Sequence, residues 1–386
     1  MTHGLRSEPW RLFFPLGVLA LWGGVSHWVL FALGWSDDAS SVFHGIAQTQ
    51  GFVLAIAFGF LLTMLPRRTR SPAPRGPVLA ILAAGSVGAA GMVRFGMVRA
   101  GESLFTVALV VALVFVLRCM RRGERRAPAA FLWIPLGFAL ALLGAVLTVI
   151  GVILKGEAFR WHEVGKLMVT QGMILCLVIG AGSIALPLMT RGENPPDADR
   201  DPDARRVRVV AWFGAGAIAV SCVLEVFVDY ALGNLLRAVV SGTVIIPLLR
   251  VFEPVRLRGA HRVAMRVAVL MIPLGYLLAA LLVPWPRLGL HVVFAGGFAP
   301  LALTIALHVA LAHGGGSELT ERNHPLVVAM LVGLVLALGL RLCAEVDVLH
   351  RFAWLGAAGA TMLCASLCWA VLVLPCCFRG STAGGE

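Results

Sequence analysis

The chain has 386 residues, 59% of them hydrophobic and only 13% charged, with a formal net charge of +12. Soluble domains carry about 25% charged residues, so composition excludes a soluble enzyme or a soluble binding module. The mean hydropathy of +0.89 fits a polytopic membrane protein, an all-α helical bundle.

Apolar runs of about 20 residues, the length a bilayer span requires, predict twelve transmembrane helices. They fall at 12–34, 44–65, 77–93, 103–120, 129–153, 162–189, 208–229, 232–250, 265–284, 289–312, 325–343 and 350–374. The first run is too long for the apolar core of a signal peptide and is expected to remain as span 1. Spans 1–6 occupy residues 12–190 and spans 7–12 occupy 208–374, in one integral-membrane domain. The stretch 191–208 between them carries Pro195-Pro196 and alternating Asp and Arg, and reads as a disordered cytoplasmic linker.

Most of the 32 basic residues fall on one side of this topology: Arg67, Arg68, Arg70 and Arg75, the cluster from Arg118 to Arg126, the linker arginines, and Arg250 to Arg266. Lys and Arg bias toward the cytoplasm orients a membrane protein, so both termini are expected inside. The basic excess is then an orientation signal that favours anionic lipid, and no nucleic-acid partner is expected. The eight cysteines sit in or beside spans. Cys364 and Cys368, four apart, have the spacing for a soft metal, although buried Cys more often packs as a small hydrophobe.

Histidines are the informative residues. His44, His162, His291 and His350 each fall at the outer start of an inward-running span, and His27 lies in the outer part of span 1. His44 and His291 are each followed by a Gly-Phe pair, Gly51-Phe52 and Gly297-Phe298, and each lies 22 residues before an inner boundary. At 1.5 Å per residue that is about 33 Å, which sets both at one depth. A single lip histidine reads as an interfacial anchor. Four at matched helix starts point instead to metal or haem, since ionisable groups in spans are costly and imidazole is the commonest metal ligand. His44, Gln48, Gly51, Ala55 and Gly59 form one small, polar stripe, suited to a porphyrin or to another helix.

Other groups have two readings each. His162, Lys166 and Met173 share a face that would complete a metal site or anchor the interface, with Glu163 placed to orient the imidazole. Arg94, Arg99, Arg287 and Arg341 lie at outer helix ends, where guanidinium groups pair with propionates or mark the interface. Glu225 and Asp229 read as a solvated helix end or a cation access point. His308 and His313 are 140° apart on an ideal helix and form no ready chelate.

The chain resembles the NnrS family, haem- and copper-containing membrane proteins linked to bacterial nitric-oxide stress. The resemblance rests on Glu8-Pro9-Trp10-Arg11-Leu12-Phe13-Phe14-Pro15-Leu16-Gly17, on His44 through Gly51-Phe52 to Leu65-Pro66-Arg67, and on His291 through Gly297-Phe298 to His313-Gly314-Gly315. Where the family often has Arg-Val late in span 10, this chain has His308-Val309. A more distant similarity is to subunit I of haem-copper oxidases and nitric-oxide reductases, whose second and tenth spans supply the axial histidines of a low-spin haem. Their paired histidines of span 7 are replaced here by Val223-Leu224-Glu225-Val226, and a further span 10 histidine by Gly289.

The resemblance implies haem b held by His44 and His291, with Arg341 and Arg287 at its propionates. Copper is the second metal expected, with His162, His350 and His27 joining the metal-binding set. The implied setting is the bacterial inner membrane, with the lipid bilayer, haem and a small electron donor as partners. The implied role is nitric-oxide tolerance or electron transfer, as a haem-dependent oxidoreductase if there is turnover. Two other readings stand beside it: a multi-pass transporter of a metal or small solute, and an assembly factor for a respiratory complex.

Overall fold

The computed structural model describes residues 2–379. Among them every regular element is helical, and twelve helices are long and apolar enough to cross a membrane. They run Trp10–Ala32 (span 1), Ser41–Thr69 (span 2), Gly76–Arg94 (span 3), Val98–Arg122 (span 4), Ala129–Leu154 (span 5) and Gly156–Arg191 (span 6). The second half has Ala204–Phe227 (span 7), Tyr230–Leu248 (span 8), Ala260–Leu281 (span 9), Pro286–His313 (span 10), Pro325–Val346 (span 11) and Arg351–Phe378 (span 12). Each matches a span expected from hydropathy, with ends moved by a few residues. Polar caps cause part of the shift, because they lie outside the apolar runs. The Ser40 hydroxyl accepts from the Phe43 N–H and starts span 2, Asp229 does the same for Leu232 at span 8, and left-handed Gly192 stops span 6.

Alternating spans give the bundle two ends. One carries His27, His44, His162, His291 and His350, and is called the histidine end. The other is the arginine-rich end, where the start of span 1 meets the end of span 12: the Arg11 guanidinium donates to the carbonyls of Cys376, at 2.9 Å, and Arg379, at 2.5 Å.

Spans 2, 6 and 10 form the centre. In each, 83% of the most apolar stretch is buried, against at most 50% in any other span. The other nine close a ring around them, with span 12 packed on span 1. Packing in lipid relies on small residues that let backbones approach. A Cβ on Gly165 of span 6 would strike the Gly144 carbonyl of span 5, and a Cβ on Gly289 of span 10 would strike the backbone of Ala279 in span 9.

A sequence motif of span 2 recurs four spans later, in span 6. Thr49-Gln50-Gly51, Gly59 and Leu65-Pro66 with Thr69 in span 2 recur in span 6, at one constant spacing, as Thr170-Gln171-Gly172, Gly180 and Leu186-Pro187 with Thr190. The carbonyl ending each copy caps the loop that follows two spans later. Thr69 accepts from the Arg125 N–H at 3.0 Å, and Thr190 from the N–H groups of Arg256 and Leu257 at 3.0 and 3.2 Å. Comparing the two halves of the chain misses this, because the midline cuts through the second copy.

Each central span widens into a π-helical segment near its histidine end: Ala47–Val53, Met168–Gly172 and Val292–Phe298. Such segments are rare and gather at functional sites. The stripe on span 2 is a helix–helix seam. His44 and Gln48 bond carbonyls of span 1, while a Cβ on Gly51 would meet Ala20 and one on Gly59 would meet Phe14.

The linker after span 6 is docked, against the expectation of disorder. Arg68 pairs with Asp197 at 2.9 Å and donates to Asn194 at 3.1 Å. Glu193 meets Arg191, Arg250 and Arg256 at 3.1, 2.5 and 3.0 Å. The alternating charges that looked solvated have partners on the ends of spans 2, 6 and 8. Desolvation works against its charged form, yet the Arg191 hydrogen bond and the three positive charges hold the Glu193 carboxyl below its ordinary range.

Candidate functional site

Span 2 and span 10 present their lip histidines in the same way. The His44 Nδ1 lies 2.7 Å from the Gly24 carbonyl of span 1, and the His291 Nδ1 lies 2.7 Å from the Arg287 carbonyl one turn earlier on its own span. A carbonyl has no proton to give, so each Nδ1 must donate. In the neutral ring that leaves the lone pair on Nε2, and neither Nε2 has a hydrogen-bond partner among the described residues. This is the arrangement seen in metal-bound imidazoles, where the second nitrogen is tied to a carbonyl or carboxylate.

The two rings are within electrostatic reach of each other, and both are within reach of Arg341 on span 11. Arg341 donates through Nη2 to Glu345 Oε1 at 2.6 Å, and its Nη1 is buried with no partner. A buried, unpaired donor on a charged group costs about 1–3 kcal/mol or more, and one further acceptor at this corner would remove that cost. Arg287 stands exposed at the rim and contributes its carbonyl to His291. Arg94 is engaged elsewhere, with Asp38 at 2.6 Å.

His27 joins the site from span 1. Its ring centroid is 6.0 Å from that of His44, and it packs on Trp28 and Phe43. It is buried and neither ring nitrogen meets a well-placed partner, although backbone of Gly24 and Ser40 lies close by.

The remaining residues of the expected metal set lie apart. His162 stacks on Phe159 and reaches toward the Thr148 carbonyl at 3.4 Å. Glu163, expected to orient it, pairs with Lys166 at 2.8 Å instead, because that partner is one turn along the same helix. His350 is 64% exposed and sits 3.0 Å from Asp347. Asp347 accepts from the Trp354 and His350 N–H groups, which hold its carboxyl below the ordinary range. Among the described residues, no three His, Cys, Asp or Glu side chains converge to hold a metal. Cys364 is exposed and all eight cysteines are free.

Two buried clusters escaped the sequence reading. In the first, Arg237 of span 8 is fully buried and donates to Glu225, Gln171 and Ser221, with its guanidinium 5.4 Å from the centre of the Tyr276 ring. Glu225 is therefore an ion-pair partner and not a solvated helix end, and Asp229 is a cap. The signal was an arginine in the middle of an apolar run, where charge is costly and paired. In the second, at the arginine-rich end, His261 Nε2 lies 3.2 Å from His308 Nδ1 with the rings stacked. His261 lies before the 265–284 expected for span 9, yet it is the second residue of that helix and is buried. His308, which stands where the resembled family often has arginine, is its partner.

The family described as NnrS protein matches residues 4–380 of the chain. No curated protein and no solved structure matches it.

Proposed function

Since the chain belongs to the NnrS family, we propose that it is a haem b protein of the bacterial inner membrane, with His44 and His291 as the residues that would hold the haem. Its role is nitric-oxide tolerance or electron transfer. The observation that supports this best is the shared 2.7 Å Nδ1–carbonyl bond, which leaves both Nε2 atoms unbonded at one end of the bundle. Haem held by two imidazoles supplies one-electron chemistry when bound.

The protein's own groups do the rest. The Gly24 and Arg287 carbonyls fix the tautomers and make each Nε2 a stronger donor to a metal. Arg341, steadied by Glu345, offers its unpaired Nη1 to a propionate. The His27 ring, with Trp28 and Phe43, covers the His44 side. The arginine clusters at the opposite end orient the histidine end outward. His162 and His350 lie apart from each other and from the His27–His44 pair, so the proposal assigns residues to haem and none to copper.

A pyridine haemochromogen assay on protein purified from haem-replete cells tests this reading. One haem b per chain is expected. Protein that is folded and monodisperse yet has no Soret band overturns it.

A further inference from the structure

Glu102 is a carboxylate near the histidine end of span 4, and among the described residues it has no counter-ion. Other glutamates within spans are paired: Glu163 with Lys166, Glu225 with Arg237 and Glu345 with Arg341. Glu157 is exposed at the start of span 6. Glu102 is half-buried, and among the described residues its carboxylate accepts from Gln50 Nε2 of span 2 alone, at 3.1 Å to Oε1 and 3.5 Å to Oε2. Gln50 is 3% exposed and lies in the first π segment. Its Oε1 is buried with no partner.

Three acceptor oxygens therefore have one neutral amide NH2 between them, and no charge opposes the carboxylate. Turning the amide over does not repair this. With Gln50 Oε1 toward the carboxylate, two acceptors face each other unless Glu102 carries a proton. An uncompensated charge at such a place is costly. His162 of span 6 is the titratable side chain from a neighbouring element within electrostatic reach of Glu102, and it is not within ion-pairing distance. What is missing is one positive charge that bonds oxygen.

We propose that Glu102 and Gln50 form a binding site for one small monovalent cation, a proton or a sodium ion, between spans 2 and 4 at the histidine end. A proton sits on the Glu102 carboxyl and is shared with the Gln50 amide oxygen. A sodium ion is held by the Glu102 oxygens and Gln50 Oε1. The two share one chemistry, neutralisation of Glu102 through oxygen ligands. The site is independent of whether haem binds.

Infrared spectroscopy on the full-length protein in lipid nanodiscs separates the cases, with NaCl exchanged for N-methyl-glucamine chloride. Proton occupancy gives a protonated-carboxyl band at neutral pH that shifts in D₂O, is insensitive to NaCl and is lost in Glu102→Gln. Sodium occupancy gives that band only without NaCl, and added NaCl abolishes it. Gln50→Leu keeps the carboxyl, so it moves the band or raises the NaCl needed, and it serves as the check if Glu102→Gln fails to fold. A wild-type protein with no protonated-carboxyl band in either salt overturns the proposal. So does a band that Glu102→Gln and Gln50→Leu both leave unchanged.

Discussion

Gln50 and Gln171 occupy the same position in a repeated Thr-Gln-Gly, yet Gln50 donates to a carboxylate while Gln171 accepts from an arginine. One backbone unit, used twice, is filled with opposite chemistry. The second copy is closed by the Arg237–Glu225 pair, with Ser221 and Tyr276 around it.

That pair gives a stability prediction. Removing one partner of a buried ion pair costs about 3–5 kcal/mol, whereas replacing both with apolar residues is often neutral. Arg237→Met and Glu225→Leu should each lower the denaturation midpoint in detergent strongly. The double variant should recover most of the loss. Additive losses would show that the two charges act separately.

Arg341→Gln should weaken haem retention by about 10–100-fold, the usual range for a residue that supports a metal site from outside. Glu345→Gln should act in the same direction and less, because Arg341 keeps its charge and loses only its restraint. Haem loss to an apoprotein acceptor measures both. Equal retention in Arg341→Gln would remove this arginine from the site.

The docked linker should depend on pH. The folded Glu193 carboxyl titrates below its ordinary range, so its contribution is complete above the ordinary pKa of about 4.3 and is lost as pH falls through the folded value. Residues 193–203 should therefore resist protease at neutral pH and become cleavable by pepsin in strong acid. In Glu193→Gln they should already be trypsin-sensitive at neutral pH. A linker cut equally fast in both proteins would contradict the docking.

Gly165→Ala should destabilise the bundle by roughly 1–3 kcal/mol, the range for overpacking. Its new Cβ meets the Gly144 carbonyl and Thr148. Gly216→Ala, with open space around it, should leave the melting temperature unchanged or slightly raised. Equal effects would mean that the close approach of spans 5 and 6 is not tight.

The twelve spans were legible because a bilayer demands long apolar runs, and the lip histidines stood out against them. What sequence distance hides was not legible. Arg237 meets Gln171 from 66 residues away, and His261 meets His308 from 47 away, so neither pair shows as a local motif. The linker misled for another reason: Glu193 and Asp197 look like solvated charges until the arginines of spans 2, 6 and 8 arrive. The expected metal set divided in the same way. Depth along a helix placed His44, His162, His291 and His350 at one end, but only packing around the axis decides which of them meet.

The most direct test is near-infrared magnetic circular dichroism of the oxidised, haem-loaded protein, with His44→Gly and His291→Gly measured alongside. Ligation by two neutral imidazoles predicts a low-spin bis-histidine charge-transfer band in the wild-type protein. Each variant should lose it, and added imidazole should restore it. A wild-type spectrum without that band, or one unchanged in both variants, would contradict the account.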